Sequence, residues 1–192
     1  GRFFAGVRQS RFGVRTFLPT ALGELRTTFE FDLFGAGADV GQTTFHLRQS
    51  GGLSVEEPRP DEPADHYDYD PADPVPTIGG VNSVLTMTQG AQTPIRPGPV
   101  DQRVLERRRD VLAYTTEPLD HDLEVIGPVE MVLYAASSAR DTDFFVRLCD
   151  VYPDGRSIFL TEGIIRARYR GSREGESVEL LEPGEVAEYR IR

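Results

Sequence analysis

The chain contains no tryptophan and no lysine, and its one cysteine is Cys149. A lone cysteine excludes an internal disulfide and any zinc site built on cysteine pairs. Cys149 lies inside an apolar run with no histidine near it in sequence to activate a thiolate, which marks a small buried hydrophobe rather than a nucleophile. No run of 18 apolar residues occurs, so no transmembrane helix is expected. The opening "GRFFAGVRQS" has neither a starting methionine nor the apolar core of a signal peptide, so no leader is visible and the chain reads as cut from something longer. Positive charge is scarce too: 21 basic residues, all arginine, stand against 31 acidic ones for a net charge of -10. That balance excludes nucleic acid as the main partner, because a phosphate-binding surface needs clustered cations to release counterions. The single basic run, Arg107-Arg108-Arg109, is flanked by Glu106 and Asp110 and reads as a solvated strand edge.

What is present falls into three zones within 192 residues, a length that suits one domain or one domain plus a fragment. Residues 1–48 are a run of strand-like segments. In "ELRTTFEFDLF" the residues Leu25, Thr27, Phe29, Phe31 and Leu33 share one face and the polar ones share the other. Strands near ten residues with short turns fit an antiparallel meander, and they also carry the weak signature of a transmembrane barrel. Residues 49–80 are rich in proline and acid and read as an extended, solvated connection. Residues 81–192 are short strands again. Val129, Met131, Leu133 and Ala135 alternate onto one face, as do Ala187, Tyr189 and Ile191. "DFFVRLCDVY", the turn Pro153-Asp154-Gly155-Arg156 and "SIFL" form a hairpin, with proline at the first central position and glycine two later. In "GIIRARYR" the alternation sends Arg166, Arg168 and Arg170 to solvent. The pattern predicts an all-β, antiparallel β-sandwich of jelly-roll type, preceded by a short β-meander.

No catalytic constellation emerges from these residues. There is no Gly-x-Ser-x-Gly elbow, no glycine-rich phosphate loop and no His-Glu-x-x-His. His121 stands between Asp120 and Asp122 in a turn-like stretch with no nucleophile to serve, and His46 and His66 lie in a strand and in the connection. Asp65, Asp68, Asp70 and Asp73 lack the spacing, glycine and terminal glutamate of a calcium loop. Asp141 and Asp143 read as anchors for the loop entering a strand, through side-chain to backbone hydrogen bonds. Catalytic, cofactor-binding and metal-binding residues are accordingly none.

Four stretches carry a resemblance. "YDPADPVPTIGG", "PVDQRVLERRRDVLAYTTEPL", "LEVIGPVEMVLYAASSARDTDFFVRLCDVYPDGRSIFLTEGIIRARYR" and "LLEPGEVAEYRI" resemble the C-terminal, non-catalytic jelly-roll domain of CocE/NonD hydrolases, the cocaine-esterase-like relatives of X-Pro dipeptidyl-peptidases. The resemblance implies a bacterial serine hydrolase of acyl esters or X-Pro peptide bonds, with a galactose-binding-like sandwich beside an α/β-hydrolase catalytic domain. The triad of that family lies N-terminal to the matched stretch, so this chain is expected to be catalytically inert and to need no cofactor. The family domain continues past "EVAEYRI", which implies a sandwich incomplete at its C-terminus with an open edge. "SRFGVRT" and "FEFDLFG" resemble strands of a DcaP-type outer-membrane porin, which places a junction of unrelated pieces near Gln49–Gly51. The partner implied is the catalytic domain, with homo-oligomerisation open and no membrane expected for residues 49–192. The location implied is cytoplasmic, or outer-membrane if the first zone dominates. Two other readings compete: a carbohydrate- or protein-binding module, with Tyr67 and Tyr69 as the plainest sugar-stacking residues, and a porin fragment.

Overall fold

The computed structural model describes residues 11–17, 26–32, 42–80, 97–120, 123, 125, 128–171 and 178–192, with side chains from residue 43 onward. Nine strands run through them: β1 (Arg11–Phe17), β2 (Arg26–Asp32), β3 (Gln42–Arg48), β4 (Gly52–Ser54), β5 (Val111–Thr115), β6 (Val129–Ala135), β7 (Asp143–Val151), β8 (Ser157–Arg166) and β9 (Ala187–Ile191). Among the described residues one short α-helix, α1 (Arg103–Glu106), precedes β5. No helix among the described residues is long and apolar enough to cross a membrane.

The hydrogen-bonded order is β8-β7-β1-β5-β4-β3-β2-β6-β9. Neighbours are antiparallel throughout, apart from a parallel contact of Gly52 on β4 with Thr115 on β5. The strands of the first zone are woven into this ladder. β1 lies between β5 and β7, and β2 lies between β3 and β6. The ladder folds over on itself. Phe144 of β7 packs its ring 4.3 Å from that of Tyr189 on β9, although six strands separate them in the order. Phe144, Val146 and Leu148 face Met131, Leu133, Tyr189 and Ile191 across one core. The chain is therefore an all-β sandwich, its two halves joined by burial of apolar faces.

Period-two patterning places most of these side chains. Met131, Leu133 and Ala135 of β6 are buried, and Tyr189 and Ile191 of β9 are buried while Glu188, Arg190 and Arg192 are exposed. The β7–β8 hairpin turns where the proline and glycine place it. Gly155 takes φ 83 and its N–H donates to Tyr152 O at 2.8 Å, and Arg156 N–H donates to Asp154 Oδ1 at 3.0 Å. Cys149 is fully buried. A bulge between Leu148 and Cys149 leaves Leu160 of β8 as the extra residue, pushed outward.

Three expectations need correction. The alternation in "GIIRARYR" stops at Arg166: residues Ala167–Tyr169 form a 3-10 turn, with Ala167 buried, and Arg170 is tied to the carbonyls of Ala167 and Glu179. Arg108 is not a solvated edge residue, because its guanidinium bridges Asp110 (2.7 Å) and Asp73 (3.2 Å). The connection is not freely solvated either. The Tyr67 ring packs against the main core, and Val75 and Ile78 pack with Leu105, Val111 and Phe145 in a second cluster. Irregular backbone hides such contacts from any periodicity, since its side chains follow no fixed repeat.

Candidate functional site

The outward face of β7 is buried, although a sandwich strand ordinarily turns that face to water. Arg147 is only 2% exposed there, and it shares the face with Phe145, across the strand from Ile164 and Glu162 of β8. A second, irregular layer covers it, made of residues 75–80, 97–102 and α1.

That layer is built by hydrogen bonds that stand in for secondary structure. The segment 100–102 lies along β8: Gln102 N–H donates to Ser157 O at 2.7 Å, and Phe159 N–H donates to Val100 O at 3.2 Å. Asp101 locks the corner. Its Oδ1 accepts from the N–H of Ser157 at 3.1 Å and of Arg103 at 3.2 Å, and its Oδ2 accepts from Arg103 Nη2 at 2.6 Å. Burial pushes the Asp101 carboxyl up, but the Arg103 hydrogen bond and the two backbone donors outweigh it and hold the group below its ordinary value. Residues 80 and 98 are joined by a reciprocal pair, Gly80 N–H to Gly98 O at 3.0 Å and Gly98 N–H to Gly80 O at 2.8 Å. A side chain on Gly79 would stand 2.8 Å from Gly98 O, so this neck requires glycine there.

Arg147 ties the layer to the sandwich. Its Nη1 donates to Gln102 Oε1 at 2.7 Å and its Nε donates to Glu162 Oε2 at 3.1 Å. Gln102, fully buried, passes the connection on: its Nε2 donates to Val100 O at 2.9 Å and to Ile78 O at 3.2 Å. The guanidinium also lies over the ring of Phe145, 4.9 Å from its centroid, with Phe159 at 5.9 Å. Glu162 backs onto the neck, within 3.2 Å of where a Gly80 Cβ would stand. A buried charge is tolerated when it is paired and its donors are used, and both conditions are met here.

This constellation fixes backbone and offers no reaction. It holds a cation, a carboxylate and an amide already engaged with one another, with no hydroxyl or thiol set against a base. Among the described residues no three histidine, cysteine or carboxylate side chains are grouped as a metal site would require. The residues singled out from sequence lie elsewhere. Asp65 accepts a hydrogen bond from Tyr114 Oη at 2.7 Å, Asp70 caps Ala72 N–H at 2.8 Å, and Asp73 pairs with Arg108. Asp141 accepts from Arg168 N–H at 3.1 Å, as the sequence reading expected, whereas Asp143 pairs with the Arg166 guanidinium. His46 sits on β3 opposite Ser54, His66 is exposed, and His121 with Asp122 lies outside the described residues. Sequence reasoning missed Arg147 as an anchor, although a charge inside an otherwise apolar strand was its signal.

A family model described as the X-Pro dipeptidyl-peptidase C-terminal non-catalytic domain matches residues 26–192. The chain belongs to this family. The match covers the outer layer and every strand of the sandwich except β1, and it takes in β2 and β3, which lie inside the stretch that on sequence looks porin-like. Among relatives of this X-Pro dipeptidyl-peptidase C-terminal family, cocaine esterase from a Rhodococcus species is 48% identical over 130 residues, 68% of this chain and 21% of that protein. Two mycobacterial proteins that bear a serine-esterase designation, from Mycobacterium bovis and Mycobacterium tuberculosis, are each 48% identical over 65 residues, 34% of this chain and 10% of theirs. The chain thus spans about a fifth of the length of one such relative and a tenth of the others. A non-catalytic domain agrees with an anchoring site that contains no nucleophile.

Proposed function

We propose that this chain is the C-terminal β-sandwich of a serine hydrolase of the cocaine-esterase and X-Pro dipeptidyl-peptidase kind, acting in the parent protein on acyl esters or X-Pro peptide bonds. The family match over residues 26–192 carries the reading. Its partner is an α/β-hydrolase catalytic portion, and the sandwich serves it as a rigid, chemically silent support. The purified chain, incubated with acyl esters and X-Pro anilides, is expected to give no turnover above buffer. Turnover that a serine-reactive inhibitor blocks would overturn the reading.

The same reading includes a cytoplasmic location and self-association of the parent, to be measured by cell fractionation and sedimentation velocity. The carbohydrate-binding alternative loses support at Tyr67, whose ring is partly buried against the core.

A further inference from the structure

The Gly80–Gly98 neck is tied to the β7–β8 hairpin by the backbone bonds of residues 100–102 with β8 and by the side chain of Arg147, and this second joint has the construction of a latch. The neck itself is two backbone hydrogen bonds between glycines, both with positive φ, 74 at Gly80 and 90 at Gly98. Such a pair has little of its own to hold it closed, because glycine brings no side-chain packing and the largest conformational freedom in the open state. Two carbonyls beside it, of Ile78 and Val100, are gripped by the Gln102 amide, and the Gln102 oxygen is gripped by Arg147. On the other side Glu162, held by Arg147 Nε, stands against Gly80.

We propose that Arg147 is the pin of this latch: it couples closure of the Gly80–Gly98 neck to the β7–β8 hairpin, so that the neck opens or closes with the guanidinium and not with the apolar core. The main cluster includes neither glycine, and the one buried ring beside the neck among the described residues is Phe159, whose Cζ lies 3.4 Å from where a Gly80 Cβ would stand. The members of that cluster are drawn from β3, β4, β5, β6, β7 and β9 and the 167 and 181 positions, whereas the neck rests on the outer layer. Arg147 is a positioning residue in this scheme, acting on the neck through Gln102 and Glu162. The proposal stands independently of the hydrolase reading above.

Amide hydrogen exchange of the whole chain tests it. In the parent sequence the Gly80 and Gly98 amides are expected to be protected. In Arg147→Met they are expected to exchange at least tenfold faster, while the Leu133 and Tyr189 amides on β6 and β9 keep their rates. Arg147→Lys, which keeps the charge but not the fork, is expected to fall between the two. If Arg147→Met fails to fold, Glu162→Gln, at a partly exposed position, decides: faster neck exchange over an unchanged core supports the latch. Neck amides that are unprotected in the parent chain, that do not respond in either folded variant, or that accelerate only in step with the core amides would overturn it.

Discussion

Gly163 on β8 stands against Arg192 at the end of β9, so close that a Cβ built on the glycine would lie 2.7 Å from the arginine carbonyl oxygen and 2.8 Å from Ile191 Cγ2. These strands occupy opposite ends of the hydrogen-bonding order, so the contact is where the folded-over sheet meets itself. A methyl group there has no room unless β8 and β9 move apart. Gly163→Ala is therefore expected to destabilise by about 1–3 kcal/mol, the range for overpacking a filled site. Urea unfolding followed by circular dichroism measures it, and an unchanged midpoint would show that β8 and β9 do not meet at Gly163.

The acidic pair before β7 divides into unequal halves. Asp141, partly buried, accepts the Arg168 N–H and pairs with the Arg168 guanidinium, so it closes the 3-10 turn after β8. Asp143 pairs with Arg166 across the hairpin in the open, where solvent screens both charges. Asp141→Ala is expected to cost about 1–2 kcal/mol, the penalty for stripping a part-buried backbone donor and guanidinium of their charged acceptor. Asp143→Ala is expected to leave the thermal midpoint within error. Comparable losses from both would place the anchor on the ion pair instead of the turn.

Acid should loosen the chain for a definable reason. The Arg108 hydrogen bond holds Asp110 below its ordinary value against the opposing effect of burial. At Asp101 burial raises the value, but Arg103 and two backbone N–H donors bring it down, and backbone N–H donation from Gln49 is the main cause at Glu62. Carboxyls whose native value is lowered stabilise the fold above their unfolded values, about 4 for aspartate and glutamate, and that stabilisation is lost as pH falls through the lowered native values. Unfolding free energy should therefore be flat near neutrality and fall below about pH 4. Asp101→Asn and Asp110→Asn should each shallow the acid limb, and an unaltered limb in both would assign the acid response to other groups.

The legible part of the structure is the part with a repeat. Met131, Leu133, Tyr189 and Ile191 reach the core because alternate residues of a strand face one way, and the Pro153–Gly155 turn follows from the φ preferences of its residues. The outer layer obeys no such rule. Ile78, Val100 and Gln102 are joined through main-chain carbonyls, which every residue type carries, so sequence marks them only through likeness to a family. Arg147 was visible as a misfit in an apolar strand. Its partners were not, because Gln102 and Glu162 stand 45 and 15 residues away and meet it only through topology. The pairing of β1 with β5 and β7 is likewise a long-range register that alternation alone cannot specify.

Two buried tyrosines should respond oppositely to loss of the hydroxyl. Tyr114 is 2% exposed, and its hydroxyl donates to Asp65 Oδ2 at 2.7 Å, drawing the connection onto β5. Tyr189 is fully buried against Phe144, and its hydroxyl has no hydrogen-bond partner among the described residues. Removing a donor from a carboxylate is costly, whereas removing an unsatisfied buried hydroxyl relieves a desolvation penalty already present in the fold. Tyr114→Phe is expected to destabilise by about 1–3 kcal/mol and Tyr189→Phe to be neutral or mildly stabilising at neutral pH. Alkali supplies an independent check. Burial pushes the Tyr189 phenol up to about 12, with the nearby Arg170 opposing. An acid whose native value is raised stabilises the fold below its unfolded value, about 10 for tyrosine, and that contribution is lost as pH rises past it. Tyr189→Phe should therefore flatten the decline of stability between about pH 10 and 12. A destabilised Tyr189→Phe at neutral pH, with the alkaline decline intact, would show that the hydroxyl is satisfied and that the core is held by it.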